Sequence, residues 1–288
     1  MNSAVFGPDR TIVWLASYPK SGNTWLRALL TKYLCPDEPI DLNQLIGGPL
    51  TFERSALDDF AAIDSSLYSP AALIPYQSAY HRSFALGGMQ PTFAKTHSAF
   101  VTTNDGVALF PQEASAGAIV IVRDPRDIVA SYAHHEGKSL EQVVARMADP
   151  DALQDFWPDH AGNSLPQLLS SWSDNVASWL DQSSIPVHLV RYEDLLDDTA
   201  AQLCKVVRFC GLQIEDGLIA AAVDACRFGR LKAAESTGRF TEKPRAGRSF
   251  FRAGKSGDGA SETGEVLTAR VVRDHRRVMQ RVGYCQAG

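Results

Sequence analysis

No apolar run in the 288-residue sequence approaches the length of a membrane span, and its first residues lack the charged-then-apolar pattern of a secretion signal. These absences lead us to expect a chain that stays in the cytoplasm and does not enter a membrane. The five cysteines (Cys35, Cys204, Cys210, Cys226 and Cys285) are odd in number and include no C-x-x-C pair. A disulfide framework and a structural zinc site are therefore not expected, and a reducing compartment fits. There is no excess of positive charge. The net charge of −5 argues against a general nucleic-acid binder, while leaving room for a local basic site. No Pro/Ser/Gly-rich linker divides the chain, so residues 1–288 are read as one α/β domain. Hydrophobic residues make up 45% and charged residues 21%, values that place the chain among ordinary globular proteins. A Walker A loop, G-x-x-x-x-G-K-[ST], is missing as well.

In its place stands WLASYPKSGNTW at 14–25. Before it, TIVWLA at 11–16 has the length and β-branched content of a buried strand. After it, WLRALLTKYL at 25–34 puts Trp25, Leu26, Leu29, Leu30 and Tyr33 at helical spacing. A strand, a tight turn and a helix leave unpaired backbone N–H groups at the helix start, and with the helix dipole these form an anion site. Lys20 adds a mobile charge; Ser21, Asn23 and Thr24 add hydrogen-bonding groups. A capped helix after a core strand, with Lys20 solvated, is the plainer alternative.

Downstream, TFAKTH at 92–97 reads as an extended segment ended by Lys95, Thr96 and His97. Ligands of open α/β sheets sit beyond the carboxyl ends of strands, though a lone histidine fits a surface position equally well. AIVIV at 118–122 has the pattern of a central parallel strand covered on both faces. It runs into RDPRDIVAS, where Asp124 suits an N-cap and Pro125 a first helical turn. Arg123 stands at the strand end, and Ser131 lies eight residues on, two turns into the helix and on roughly the same side. His134, His135 and Glu136 follow, but adjacent helix residues diverge, so no shared metal is expected and they are read as helix-end residues near a crevice. Residues 36–90 are expected as short helices and loops over the sheet, and 137–164 as a lid or short helices. Residues 165–180 read as an amphipathic helix with core tryptophans, 187–192 as a strand, and 193–209, 214–226 and 265–282 as helices. The Gly/Ser/Arg-rich segment 244–264 reads as a flexible basic loop.

The eight residues YPKSGNTW at 18–25 resemble the 5′-phosphosulfate loop of the sulfotransferases that use 3′-phosphoadenosine 5′-phosphosulfate (PAPS). Further matches follow in the family's order as far as Asp258. The resemblance implies a three-layer sandwich with a central parallel sheet, a P-loop-NTPase-like fold. It implies His97 as general base, Lys95 as an aid at the transferring group and Lys20 as stabiliser of the leaving phosphate. Lys20, Ser21, Gly22, Asn23, Thr24 and Trp25 would bind the phosphosulfate end. Arg123 and Ser131 match the family's 3′-phosphate site, where the planar guanidinium suits phosphate oxygens. Tyr192 and Phe228, with Trp25, match its adenine-packing positions, although Arg227 replaces the usual small hydroxyl residue before Phe228. Arg252, Gly254, Gly257 and Asp258 match the loop that folds over the 3′-phosphate, which implies that Arg252, Ala253 and Gly254 bind there. Two positions depart from the family: Ala253 replaces a lysine and Gly259 a tryptophan, which implies a looser cover with Lys255 as a replacement charge.

The implied reaction is sulfuryl transfer from PAPS, without a metal, to a hydroxyl or amine of a small molecule. The acceptor itself has no readable code, and monomer and homodimer stay open. Few lysines and Ala-rich helices point to bacterial natural-product biosynthesis. A P-loop-like nucleotide kinase and a non-catalytic nucleotide-binding protein are the alternatives.

Overall fold

The computed structural model describes residues 3–48, 52–85, 91–154, 164–237, 240–242 and 249–286. Four parallel strands form its centre: β1 (Ile12–Ser17), β2 (Thr92–Thr96), β3 (Ser115–Val122) and, after the short strands β4 (Leu153–Gln154) and β5 (Gln167–Leu168), β6 (Val187–Arg191). Their order is β2-β1-β3-β6. Because all four run the same way, the residues after Ser17, Thr96, Val122 and Arg191 emerge on one rim.

Period-two alternation divides the sheet's side chains between two cores. Trp14, Ala16, Val120 and Val122 face α4 (Pro125–Glu136), α6 (Trp172–Asp181) and α12 (Glu265–Arg281), and there Trp172 and Trp179 are fully buried. Val13, Leu15, Ile119 and Ile121 face α1 (Asn23–Leu34), α8 (Thr199–Phe209) and α9 (Asp216–Ala225). With both faces covered, all eight residues of β3 are buried, which accounts for their unbroken run of apolar and small side chains. The expected three layers are thus present. Among the described residues no helix is long and apolar enough to cross a membrane.

Several boundaries differ from expectation for local reasons. The helix expected over 165–180 begins only at Trp172. Ser170 has φ +60°, and the Ser171 hydroxyl accepts from Asp174 N at 3.0 Å, a cap that starts the helix there. Residues 193–209 hold two helices, α7 (Tyr192–Asp197) and α8, because Asp198 is extended and its carboxylate caps α8 through Ala201 N. The strand expected to reach 192 stops at Arg191, and Tyr192 opens α7. Residues 36–90 supply α2 (Arg54–Ala61) and α3 (Ile74–Ala85), which build a small core of their own around Leu57, Leu73 and Tyr80. Within 137–164, α5 (Leu140–Met147) is present, while Trp157, Pro158, Gly162 and Asn163 lie outside the described residues. Two further helices were not foreseen: α10 (Phe228–Thr237) and, inside the presumed loop, α11 (Gly259–Thr263).

Two histidines belong to the core rather than the rim. The His81 ring bonds Leu109 O at 2.8 Å, and His275 Nδ1 lies 2.9 Å from Ser173 Oγ. Burial pushes each down to about 4. Both are neutral in the fold at pH 6, whereas in the unfolded chain they take up protons near 6.5. Protons therefore favour unfolding between those values. The urea midpoint should fall as pH drops from 7 towards 4, and the slope should shrink in His81→Gln.

Candidate active site

The turn between β1 and α1 is fixed from both sides. Asn23 Nδ2 donates to Leu15 O (2.9 Å) and Ser17 Oγ (3.1 Å), pinning the helix start to the strand end. Gly22 has φ +100°, and a Cβ there would lie 2.6 Å from Tyr192 Cδ2, so no larger residue fits. Lys20 itself is left-handed, at φ +67°, a strain held in place by its surroundings. Among the described residues no side chain caps α1. Its first amides and its dipole therefore remain for an anion, and the buried Ser21 hydroxyl beside them has no partner among those residues. Lys20 Nζ donates to His135 Nδ1 at 3.4 Å and sits 3.9 Å from the centroid of the Phe250 ring. Burial lowers Lys20 to about 7, opposed by Glu242 and reinforced by Lys95 and Arg123.

His97 follows β2 and is held at three points. Gln167 Oε1 accepts from its backbone N–H at 2.7 Å, its carbonyl accepts from Asn175 Nδ2 at 2.9 Å, and Nδ1 lies 2.7 Å from Ser17 O. A carbonyl can only accept, so Nδ1 carries the proton and Nε2 is left with its lone pair. Burial, then the Lys95 charge, pushes the ring down to about 3, leaving it neutral at pH 7. Lys95, buried at the end of β2, is paired with Glu242 at 3.1 Å. Glu242 also meets the buried guanidinium of Arg27 at 2.8 Å and accepts from Thr24 Oγ1 at 3.1 Å.

On the other side of the turn, Arg123 donates to Lys20 O (3.3 Å) and Lys255 O (2.9 Å) and lies 4.4 Å from the Tyr192 ring centroid. Trp25 meets Tyr192 edge-on at 5.8 Å. The segment from Ser249 to Gly259 is anything but loose. At one end the buried Glu235 carboxylate accepts from Phe250 N (2.6 Å), Phe251 N (3.1 Å) and Ser249 Oγ (3.0 Å). At the other, buried Asp127 in the first turn of α4 accepts from Gly257 N (2.8 Å) and Gly259 N (2.7 Å). A Cβ at Gly259 would stand 2.4 Å from Arg126 O. The position expected to loosen the loop therefore lets it dock directly on α4. A Cβ at Gly254 would be 2.3 Å from Phe228. Arg252 pairs with Glu262 at 2.6 Å, while the Lys255 side chain is exposed and only its carbonyl bonds inward.

These elements enclose one cleft with about 1200 Å³ of empty space, part of it open to solvent. Lys20, Gly22, Asn23, Thr24, Trp25, Lys95, His97, Arg123, Ser131, Tyr192, Phe228, Arg252, Ala253 and Gly254 all line it. Of the expected site residues only Ser21 lies behind the wall. His135, Glu136, Tyr132, Gln154 and Phe250 line it too. The two adjacent histidines diverge: His134 Nε2 meets Ser249 O, and His135 meets Lys20. Among the described residues no cluster of three or more His, Cys, Asp or Glu side chains could hold a metal. Arg27, Asp127, Glu235 and Glu242 were missed. Arg27 left one signal, a charge inside the apolar helix 25–34 that needs an acidic partner once buried; the acids left none.

Comparison with known proteins agrees with this geometry. The sulfotransferase domain model matches residues 10–283. Cytosolic sulfotransferase 1 of Arabidopsis thaliana is 25% identical over 264 residues, covering 88% of this chain and 74% of the relative. Flavonol 3-sulfotransferase of Flaveria bidentis is 24% identical over 264 residues, covering 85% and 74%. Among solved structures, mouse sulfotransferase SULT7A1 complexed with PAP has a TM-score of 0.59 at 18% identity, covering 98% of this chain and 89% of that one. Retinol dehydratase in complex with androsterone and inactive cofactor PAP gives 0.60 at 17%, covering 93% and 80%. A family model spanning nearly the whole chain, on the fold and around the cleft that the loop at 18–25 led us to expect, leaves one assignment: the chain belongs to the sulfotransferase family and is a PAPS-dependent enzyme.

Proposed function

We propose that the cleft transfers a sulfuryl group to a hydroxyl or amine of a small molecule, with His97 as the base. The observation that carries this reading is the Nδ1–H bond of His97 to Ser17 O, which leaves Nε2 as a proton acceptor at the cleft wall. The co-substrate fits the residues present: a helix start and a Ser21 hydroxyl that no described side chain occupies, and Lys20, Lys95 and Arg123 around one space. When bound, PAPS supplies the sulfuryl group, whose bond to the 5′-phosphate oxygen breaks as the acceptor oxygen or nitrogen attacks.

His97 Nε2 takes the acceptor's proton. Lys20 neutralises charge growing on the 5′-phosphate oxygen, and Lys95 holds a sulfuryl oxygen. Ser21, Gly22, Asn23 and Thr24 shape the cradle around the phosphosulfate. Arg123, Ser131 and Arg252 hold the 3′-phosphate, with Ala253 and Gly254 forming the backbone strap over it. Trp25, Tyr192 and Phe228 pack the adenine. Positioning and fixed charge carry such reactions. The relatives' names, a flavonol sulfotransferase and an androsterone complex among them, support a small apolar acceptor with a hydroxyl, and the Arabidopsis relative's description as cytosolic supports a cytoplasmic setting.

His97→Ala should lower turnover by roughly 10²- to 10⁴-fold, with adenosine 3′,5′-bisphosphate (PAP) affinity changed little by calorimetry. Full activity in that variant would rule out the base. Arg123→Ala should weaken PAP binding by about tenfold or more yet leave 5′-AMP binding nearly unchanged, since only PAP carries the 3′-phosphate.

Lys20 stands near 7 without ligand, and a neighbouring phosphate favours its charged form. PAP binding at pH 7.5 should therefore take up a fraction of a proton, read from calorimetry in buffers of different ionisation enthalpy, and Lys20→Met should abolish the uptake. Asp127→Ala should speed hydrogen exchange at Gly257 and Gly259 and weaken PAP binding, with a smaller effect on 5′-AMP.

A further inference from the structure

Glu242 belongs to none of the roles assigned above, yet its carboxylate lies at the centre of the cleft's positive charge. Oε1 accepts from Arg27 Nη1 at 2.8 Å and Lys95 Nζ at 3.1 Å, and Oε2 accepts from Thr24 Oγ1 at 3.1 Å. Two of these donors, Thr24 and Lys95, line the cleft and are assigned above to the phosphosulfate end. The third stands behind them. Arg27 does not line the cleft, and its remaining N–H groups reach Ile46 O (2.7 Å) and Leu45 O (3.2 Å). A carboxylate and a sulfuryl or phosphoryl group are both compact oxyanions, and both are held by charge-assisted hydrogen bonds. Without a counter-ion, Lys95 and Arg27 would be two buried cations close together, an arrangement of high cost. Glu242 removes that cost in the nucleotide-free chain. Despite its partial burial, the flanking cations hold Glu242 well below the usual carboxylate range, so it is ionised at pH 7.

An incoming phosphosulfate meets this negative charge on the donors it needs. We propose that Glu242 is a built-in occupant of the phosphosulfate end, a surrogate anion that keeps Thr24 and Lys95 aimed and must release them when the nucleotide binds. Glu242 therefore lowers nucleotide affinity and acts as a positioning residue through Lys95 and Thr24. Arg27, satisfied by two carbonyls as well, can keep its hold on one carboxylate oxygen while the other donors change partners. The proposal rests on the PAPS reading and adds to it the statement that the site is already filled by the chain's own charge.

The test is calorimetry of PAP, 5′-AMP and 3′-AMP against the full-length chain and its Glu242→Gln variant. PAP and 5′-AMP place a 5′-phosphate at the contested end; 3′-AMP does not. The expected result is a gain of roughly tenfold in affinity for PAP and 5′-AMP in Glu242→Gln, with 3′-AMP unchanged. The free variant should also melt earlier than the parent and show a larger rise on PAP addition, because the bound phosphate then supplies negative charge that the substituted side chain lacks. Equal or weaker PAP binding by the variant overturns the proposal, as does an equal gain for 3′-AMP. If the parent chain binds none of the three nucleotides, the PAPS reading falls and takes this one with it. A crystal structure of the unaltered chain with PAPS and no acceptor, which puts a sulfuryl oxygen at Lys95, provides a check independent of any variant. Glu242 should have left Lys95 Nζ and Thr24 Oγ1, and a carboxylate still on both donors overturns the proposal.

Discussion

Four parallel strands that end on one rim bring Lys20, Lys95, Arg123 and, just behind them, Arg27 into one poorly solvated space. That gathering of like charge is the constraint on which the rest of the site depends. Burial raises the cost of ionising them, and cations so close add to it. The results are visible in four groups around the cleft: Lys20 and Lys95 are lowered, and the His97 and His135 rings are held neutral. One carboxylate, Glu242, opposes all four shifts. The cleft is therefore poised for an anion before one arrives, and the fold accommodates the charge because main-chain carbonyls and acids, Glu242 foremost and Glu136 beside Lys20, share the load.

What was legible in the sequence was whatever chemistry is written in consecutive residues. The turn at 18–25, the strand end at Lys95 and His97, and the Arg123 to Ser131 spacing each carry their meaning within about ten residues, and the parallel sheet then brings the three segments to one edge. The strands read clearly because β1 and β3 are covered on both faces and so are almost wholly apolar. Helix limits were harder, since they hinge on single capping residues. Asp198 and Ser171 each redraw a boundary that apolar periodicity alone had blurred.

Three of the residues that escaped notice, Arg27, Asp127 and Glu242, act across long stretches of chain. Asp127 meets Gly257 and Gly259, 130 and 132 residues away, and Arg27 meets Glu242 across 215. No local pattern marks such partners. The same blindness explains the one expectation that reversed its meaning. Seen alone, Gly259 was a missing aromatic cover. Seen against Arg126 O it is a requirement of close approach, and the segment it ends is bracketed by two buried carboxylates. Read as a basic loop, that segment looked mobile; its order comes from acids that lie in α4 and α10.

The bond from His97 to Ser17 O couples the ring's orientation to the pairing of two neighbouring strands, because Ser17 ends β1 and His97 follows β2. The imidazole cannot turn its other edge to the cleft without giving up that carbonyl. An acceptor bearing several hydroxyls would then be sorted by which of them can touch one nitrogen held in a frozen direction, and the intrinsic acidity of each would matter less. Regiochemistry in such an enzyme would be a matter of reach, governed by the shape of the wall opposite the ring.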